Sequence, residues 1–186
     1  GRAWHAGVAE WRGARDINSR SIGIELDHPG HGPFPAAQIE ALTALARDVA
    51  ARHAIPPAGI VGHQDLAPTR KADPGPQFPW RRLAEAGLGV WPEPSAADFQ
   101  RATALDRRGS QAALGRIGYP VRETGRADAQ HRAVVTAFKA RFAADGGDGR
   151  SALRRAEVAR LVALDRQLAP APPGPTGPGG EPPGPG

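Results

Sequence analysis

A histidine, a lysine and an aspartate stand close together in the stretch Val61 to Trp80, Val-Gly-His-Gln-Asp-Leu-Ala-Pro-Thr-Arg-Lys-Ala-Asp-Pro-Gly-Pro-Gln-Phe-Pro-Trp. Ala67, Asp73, Gly75 and Phe78 each precede a proline, which pushes them out of the helical region toward extended backbone. The stretch is therefore expected to be a stiffened, extended loop. Side chains two apart in extended backbone point the same way. Lys71 and Asp73 should project together, with Pro74 fixing Asp73. His63 follows a short apolar run, Gly59-Ile60-Val61, that reads as a strand. A histidine at a strand end and a carboxylate on a rigid loop can supply half of a metal site. The same residues also fit a plainer arrangement, with His63 packed in the core and Asp73 a turn residue before Pro-Gly. Spacing alone leaves both open.

A further carboxylate lies upstream. Ser21-Ile22-Gly23-Ile24-Glu25-Leu26 alternates strictly, with Ile22, Ile24 and Leu26 on one face and Ser21, Gly23 and Glu25 on the other. That is the period of a half-buried strand. Glu25 sits on the small-residue face, where Gly23 leaves room beside it; a solvated strand glutamate fits the pattern equally well. His28 and His31 fall in a Gly/Pro-rich turn that pins no geometry, so they are not read as metal ligands. Asp145 to Asp148 lacks the alternating oxygens and closing glutamate of an EF-hand and is not read as a calcium loop.

Several elements must position these groups. Ile39, Leu42, Leu45, Ala46 and Val49 recur at three- and four-residue steps and predict a helix from Pro35 to His53, with Pro35 suited to its first turn. His53 falls in the last turn, where the helix dipole favours a cation. Arg81 to Ala86 reads as a short helix, and Val90-Trp91-Pro92-Glu93-Pro94 as a linker. Beyond it, helical patterns run over Ala96 to Ile117, interrupted at Gly109, over His131 to Phe142, and through Val158 to Leu164. Gly118-Tyr119-Pro120 and Asp145-Gly146-Gly147-Asp148-Gly149 read as turns. Residues 167–186 are Pro/Gly-rich with almost no apolar content and are expected to be disordered.

Composition narrows the chemistry. The chain has no cysteine, so disulfides and thiolate metal sites are excluded, and a metal must use histidine and carboxylate ligands. It carries 22 arginines against two lysines and a net charge of +5. The arginine skew, with many Ala, Gly and Pro, reflects a GC-rich codon bias. The charge suits an anionic partner such as a cell wall, but no clustered basic face of the kind nucleic-acid binding needs is visible. No stretch is long and apolar enough to span a membrane. The chain has no methionine and begins at Gly1-Arg2, immediately before a motif, so it is expected to be a fragment lacking its natural N-terminus.

Three collinear stretches carry a resemblance over residues 3–80: Ala3-Trp4-His5-Ala6-Gly7; Asn18-Ser19-Arg20-Ser21-Ile22-Gly23-Ile24-Glu25-Leu26; and Gly62-His63-x-x-Leu66-Ala67-Pro68-x-Arg70-Lys71-x-Asp73-Pro74-Gly75-Pro76, followed by Phe78 and Trp80. Together they resemble the zinc-dependent N-acetylmuramoyl-L-alanine amidases of the second amidase family. The resemblance implies an α/β fold, with a mixed central sheet flanked by helices and its first strand missing here. It implies Zn2+ as cofactor, held by His63, Asp73 and a histidine expected upstream of this chain. It implies Glu25 as the group that activates water and Lys71 as the one that stabilises the oxyanion. It places Trp4, His5, Ala6, Asn18 and Arg70 along the substrate groove, though Trp4 read by itself suits core packing. The implied substrate is bacterial peptidoglycan or its muropeptides, cut between N-acetylmuramic acid and L-alanine. With its first ligand absent, this chain alone is expected to be impaired.

The later helices, with Leu114-Gly115-Arg116-Ile117-Gly118-Tyr119 and Ala133-Val134-Val135-Thr136-Ala137-Phe138, resemble a small peptidoglycan-binding-like three-helix domain. One departure is Lys139, where such domains usually carry glutamine after the phenylalanine. The expected organisation is thus an amidase domain over 1–92, the helical domain over 96–166, and the tail. The second domain suggests a periplasmic or outer-membrane-associated monomer; single-domain relatives that recycle wall fragments are cytoplasmic. A non-catalytic peptidoglycan-recognition module on the same fold is the alternative function. Retention of Glu25, His63, Lys71 and Asp73 favours the enzyme, and a purely structural envelope protein would not account for them.

Overall fold

The computed structural model describes residues 3–143 and 151–170. Their regular structure is helical: α1 (Ala36–His53), α2 (His63–Leu66), α3 (Trp80–Glu85), α4 (Ala96–Ala104), α5 (Arg107–Ile117), α6 (Ala129–Phe142) and α7 (Arg155–Leu168), with 3-10 turns at Ile17–Ser19 and Pro57–Gly59. None of these helices is long and apolar enough to cross a membrane. The expected turn and rejected calcium loop at 145–149 lie outside the described residues, as do 171–186 of the expected tail. Gln167 and Leu168, assigned to that tail, close α7 instead.

The expected mixed central sheet is not formed. Among the described residues there is no β-strand, only an isolated bridge between Trp11 and Ala14. Residues 21–26 alternate as a strand does, but a strand exists only by pairing with another. No backbone–backbone hydrogen bond among the described residues reaches residues 21–34. The face expected to be buried is open at Ile22 (51% exposed) and Ile24 (37%), and only Leu26 is half-buried, against the cluster around α1. Gly59-Ile60-Val61 is likewise not a strand. Gly59 ends a 3-10 turn, and the Ile60 carbonyl accepts from Arg141 Nη2 (2.8 Å) rather than from a neighbouring strand. Nor is the stretch after Val61 extended throughout. His63–Leu66 holds no proline, and Asp65 reaches back to the Gly62 N–H to start one helical turn.

Two apolar clusters organise the chain. The first joins Ile39, Leu42 and Ala46 of α1 to Phe78, Trp80, Leu83 and Leu88. The expected stripe of α1 is thus buried in part, while Leu45 is exposed. The second joins α5, α6 and α7 through Leu114, Ile117, Val134, Phe138, Leu161 and Leu164, with Tyr119 and Phe142. Trp91 packs against both clusters. The segment expected as one interrupted helix over 96–117 breaks at Leu105-Asp106, not at Gly109. Asp106 caps α5 by accepting from the Gly109 N–H (2.7 Å), since a carboxylate satisfies orphan donors there. Lys139 is buried. Its Nζ donates to the Ala152 carbonyl (3.1 Å) and stands 3.6 Å from Glu157, which points it into the helical core.

The start of α4 is tied to the end of α7 by charge. Asp98 accepts from the Ser95 N–H (2.9 Å) and hydroxyl (2.7 Å) and from Arg166 Nη2 (2.9 Å). The Arg166 hydrogen bond, then that of the Ser95 backbone, holds its carboxyl far below the usual carboxylate range. Folding therefore favours the ionised form. The resulting stability is complete above the unfolded carboxyl value of about 3.9 and is lost as pH falls toward the lower folded value. In urea unfolding, Asp98→Asn should be less stable than wild type at pH 7, and the gap should narrow as pH falls from 5 toward 2. A gap that is constant with pH would show that Asp98 acts by packing alone.

Candidate active site

The site begins with a turning loop that cannot hold itself. Residues 3–9 belong to no helix or strand, and buried backbone donors need partners. Asn18, buried in the 3-10 turn Ile17–Ser19, supplies them. Its Oδ1 accepts from the His5 N–H (3.0 Å) and the Ala6 N–H (2.8 Å), and its Nδ2 donates to the Gly7 carbonyl (3.2 Å). Arg70 closes the other side, its Nη2 donating to the carbonyls of Ala6 (2.8 Å) and Val8 (3.1 Å). Both residues, expected along the substrate groove, have their polar atoms engaged with the loop backbone. Trp4 is 78% exposed on that loop.

His5 lies against Gly23, where a Cβ would come within 2.7 Å of the imidazole. The room that Gly23 leaves is therefore filled by His5. Its Nε2 is 2.7 Å from the Ser21 hydroxyl, which itself donates to the Ile17 carbonyl (2.8 Å). Nδ1 of the same ring is 3.2 Å from the Ala3 carbonyl, which only accepts.

His63 opens α2 and is set close to the Pro74 loop. Gly62 has no room for a side chain there, because a Cβ would stand 2.8 Å from Pro74 Cδ and 3.1 Å from the Trp80 ring. The imidazole makes two polar contacts: Nδ1 to Asp73 Oδ2 at 3.1 Å, and Nε2 to the Ala6 carbonyl at 3.1 Å. Both partners accept only. A neutral imidazole carries a single N–H, so one contact requires either a second proton or a cation. With Nε2–H donating to Ala6, the Nδ1 lone pair faces the Asp73 carboxylate. A ring nitrogen fixed through a carbonyl on its other side is the usual arrangement of a metal-ligating histidine.

The spacing also suits a metal. Two ligands of a tetrahedral zinc ion, each about 2.0–2.1 Å from it, stand about 3.3 Å apart. The His63–Asp73 pair therefore fits two positions of a zinc site. Among the described residues no group of three His, Cys, Asp or Glu is placed to hold a metal ion.

His5, Ala6, Glu25, His63 and Asp73 line one groove, whose floor is apolar and includes Phe34, Leu42 and Trp80. Glu25 is exposed in it. Lys71 is half-buried on the loop, its N–H bonded to the Ala67 carbonyl (2.9 Å), and does not line that groove. The structure thus gathers His5, Glu25, His63 and Asp73, and leaves Lys71 and Trp4 aside.

Sequence reading passed over Gln64 and Asp65, which flank the site from below. Gln64 donates its N–H to the Asp73 carbonyl (2.8 Å), accepts from the Gly75 N–H (3.2 Å), and donates to the Ala137 carbonyl of α6 (3.3 Å). Asp65 is fully buried and bonded to Gly62, Tyr119 and Arg141. A polar pair directly after a candidate ligand was the available signal; its partners Tyr119, Ala137 and Arg141 lie more than fifty residues away.

Comparison with known proteins places this geometry. The N-acetylmuramoyl-L-alanine amidase family profile matches residues 1–76. N-acetylmuramoyl-L-alanine amidase AmiD of Escherichia coli strain K12 is 43% identical over 154 residues, covering 75% of this chain and 55% of that protein. The structure of Escherichia coli AmiD in complex with the substrate anhydro-N-acetylmuramic acid-L-Ala-D-gamma-Glu-L-Lys superposes with a TM-score of 0.77 at 37% identity, over 89% of this chain and 69% of that one. Pseudomonas aeruginosa AmpDh3, in complex with anhydromuramic pentapeptide, gives a TM-score of 0.74 at 34% identity, over 90% of this chain and 70% of that one. The chain belongs to the N-acetylmuramoyl-L-alanine amidase family. It spans about half the length of the curated relative AmiD.

The hydrogen bonds of Asn18 set a test. Asn18→Ala leaves the buried Ala6 N–H without an acceptor, a loss of about 1–3 kcal/mol. Urea unfolding should show that loss, and hydrogen exchange at the His5 and Ala6 amides should quicken. An Asn18 that served only to touch substrate would leave both measurements unchanged.

Proposed function

We propose that this protein hydrolyses the amide bond between N-acetylmuramic acid and L-alanine in peptidoglycan fragments, with zinc as cofactor. The observation that carries this reading is His63, set between two acceptors with Asp73 Oδ2 3.1 Å from its Nδ1, in a groove that also contains Glu25. Family membership supports it, as do two related structures solved with anhydromuramyl peptides. His63 and Asp73 are the residues that would hold the metal. The chemistry that zinc held by these two residues would supply is Lewis acidity toward the scissile carbonyl and water.

The chain's own groups do the rest. Glu25 takes the proton of the attacking water and delivers it to the departing amine of L-alanine, so that the amine leaves neutral. Lys71, on the same loop as Asp73, lies outside the groove and offers positive charge to the oxyanion only once substrate binding brings its side chain in. His5 and Ala6 form one rim on which the sugar–peptide junction rests, with Asn18 and Arg70 holding the rim in shape.

The test is a digest of anhydromuropeptides with added zinc, read by mass spectrometry for free peptides beginning in L-alanine. Two donors stand together among the described residues, so initial rates should be slow and should rise with zinc concentration. Glu25→Gln should lower the rate about 10²–10⁴-fold while zinc binding is retained, and His63→Ala should abolish both. Muropeptide binding without release at any zinc concentration would replace the enzyme with a recognition module.

A further inference from the structure

The helix that presents His63 is only four residues long. A single helical turn is unstable by itself, because it fixes several dihedrals for one hydrogen bond. Its position must therefore be set by what it is tied to, and the ties run to the C-terminal helices. Asp65 accepts at Oδ2 from the Gly62 N–H (2.8 Å) and from Arg141 Nη1 (2.6 Å), and at Oδ1 from the Tyr119 hydroxyl (2.8 Å). Arg141 also donates to the Ile60 carbonyl (2.8 Å), and its guanidinium lies over the Trp80 ring, 4.3 Å from the centroid. The backbone leading into His63 is thus held by one buried ion pair, whose carboxylate stands two residues after it. Burial, then the Asp65 carboxylate, pushes the Tyr119 hydroxyl well above its ordinary value, so it stays an O–H donor.

Gln64 ties the other donor. Its N–H and Oε1 hold the Asp73 carbonyl and the Gly75 N–H, while its Nε2 reaches Ala137 on α6. Gln64, Asp65, Tyr119 and Arg141 do not line the groove, and all four are buried. They can act on the chemistry only through His63 and Asp73. We infer that Asp65 and Gln64, anchored by Tyr119, Arg141 and Ala137 of the C-terminal helical unit, are positioning residues that set the His63–Asp73 separation, an inference resting on the amidase reading of that pair. The later helices are, on this assignment, part of the active-site scaffold.

Tyr119→Phe deletes one hydroxyl and keeps the ring against Trp11 and Phe138. Leu164→Ala opens a cavity in the same helical core and removes none of the network's hydrogen bonds. Both full-length variants are measured at a temperature where circular dichroism shows them folded. One readout is zinc affinity by competition with a fluorescent chelator; the other is the 15N shifts of the His63 ring in metal-free protein. Tyr119→Phe should weaken zinc binding about tenfold, as loss of an outer-shell partner does, and should move the His63 signals. Leu164→Ala should leave both unchanged despite its lower unfolding midpoint. Equal effects of the two variants in proportion to lost stability, or no effect of Tyr119→Phe, would overturn the inference. If wild type binds no zinc, the metal reading of the site falls. The His63 signals then decide positioning alone: movement in Tyr119→Phe only supports it, and no movement overturns it. Should Tyr119→Phe not fold, Gln64→Met takes its place. It keeps the volume, drops both side-chain hydrogen bonds, and has the same expected outcomes.

Discussion

The rest of the structure depends on the carboxylate of Asp65. Taking a carboxylate and a guanidinium out of water is costly, and the Coulomb attraction returns that cost only when the remaining lone pairs and protons are also satisfied. Here Asp65 accepts from a backbone N–H, a hydroxyl and a guanidinium, and Arg141 uses a second nitrogen on the Ile60 carbonyl, while its Nε is buried without a hydrogen-bond partner, so the pair is compensated only in part. Removing one partner from such a buried pair leaves an uncompensated charge, a loss of roughly 3–5 kcal/mol. What the pair confers is register. Arg141 can meet both Asp65 and Ile60 only when α6 lies at one position along the Ile60–Leu66 segment.

The helices were legible in the sequence wherever an apolar stripe repeats at helical spacing. Ile39, Leu42 and Ala46 mark the buried face of α1, and Val134, Phe138 and Phe142 that of α6. The break between α4 and α5 was misplaced because Gly109 looked like the interruption. The residue that starts α5 is Asp106, and the glycine is the one whose N–H it caps. The strand at Ser21–Leu26 failed for a different reason. Alternation states which side chains share a face, but whether a ladder forms depends on a partner elsewhere in the chain. Without one among the described residues, Ile22 and Ile24 stay open to solvent.

The candidate site was legible at its donors and illegible at its supports. His63 and Asp73 were paired in advance by the resemblance of their motif, since spacing alone left the plainer reading open. The contact that gives the pairing its meaning, Nε2 to the Ala6 carbonyl, joins residues 57 apart, and nothing local announces it. Asn18 and Arg70 show how a motif mixes two kinds of residue. An amide or a guanidinium offers several donors or acceptors in fixed geometry, which suits holding an irregular loop as well as it suits holding a ligand. In this chain both are spent on carbonyls and N–H groups of residues 5–8.

Local irregularity and long-range order are therefore two sides of one arrangement. Groups that must converge on a substrate have to project from turns and short helices, since regular elements present side chains only at fixed intervals. Turns and short helices have little stability of their own, so each one has to be tied to something rigid. The Trp4–Val8 loop is tied to Asn18 and Arg70, His63 to the Asp65 clamp, and Asp73 to Gln64. Two of these three ties continue into α6 or the turn after α5. The apolar packing of Phe138, Leu161 and Leu164 thereby sets the position of an imidazole it never touches. Lys71, whose side chain is not brought into the groove, marks where the arrangement is least determined by the chain itself and most open to adjustment by a bound substrate.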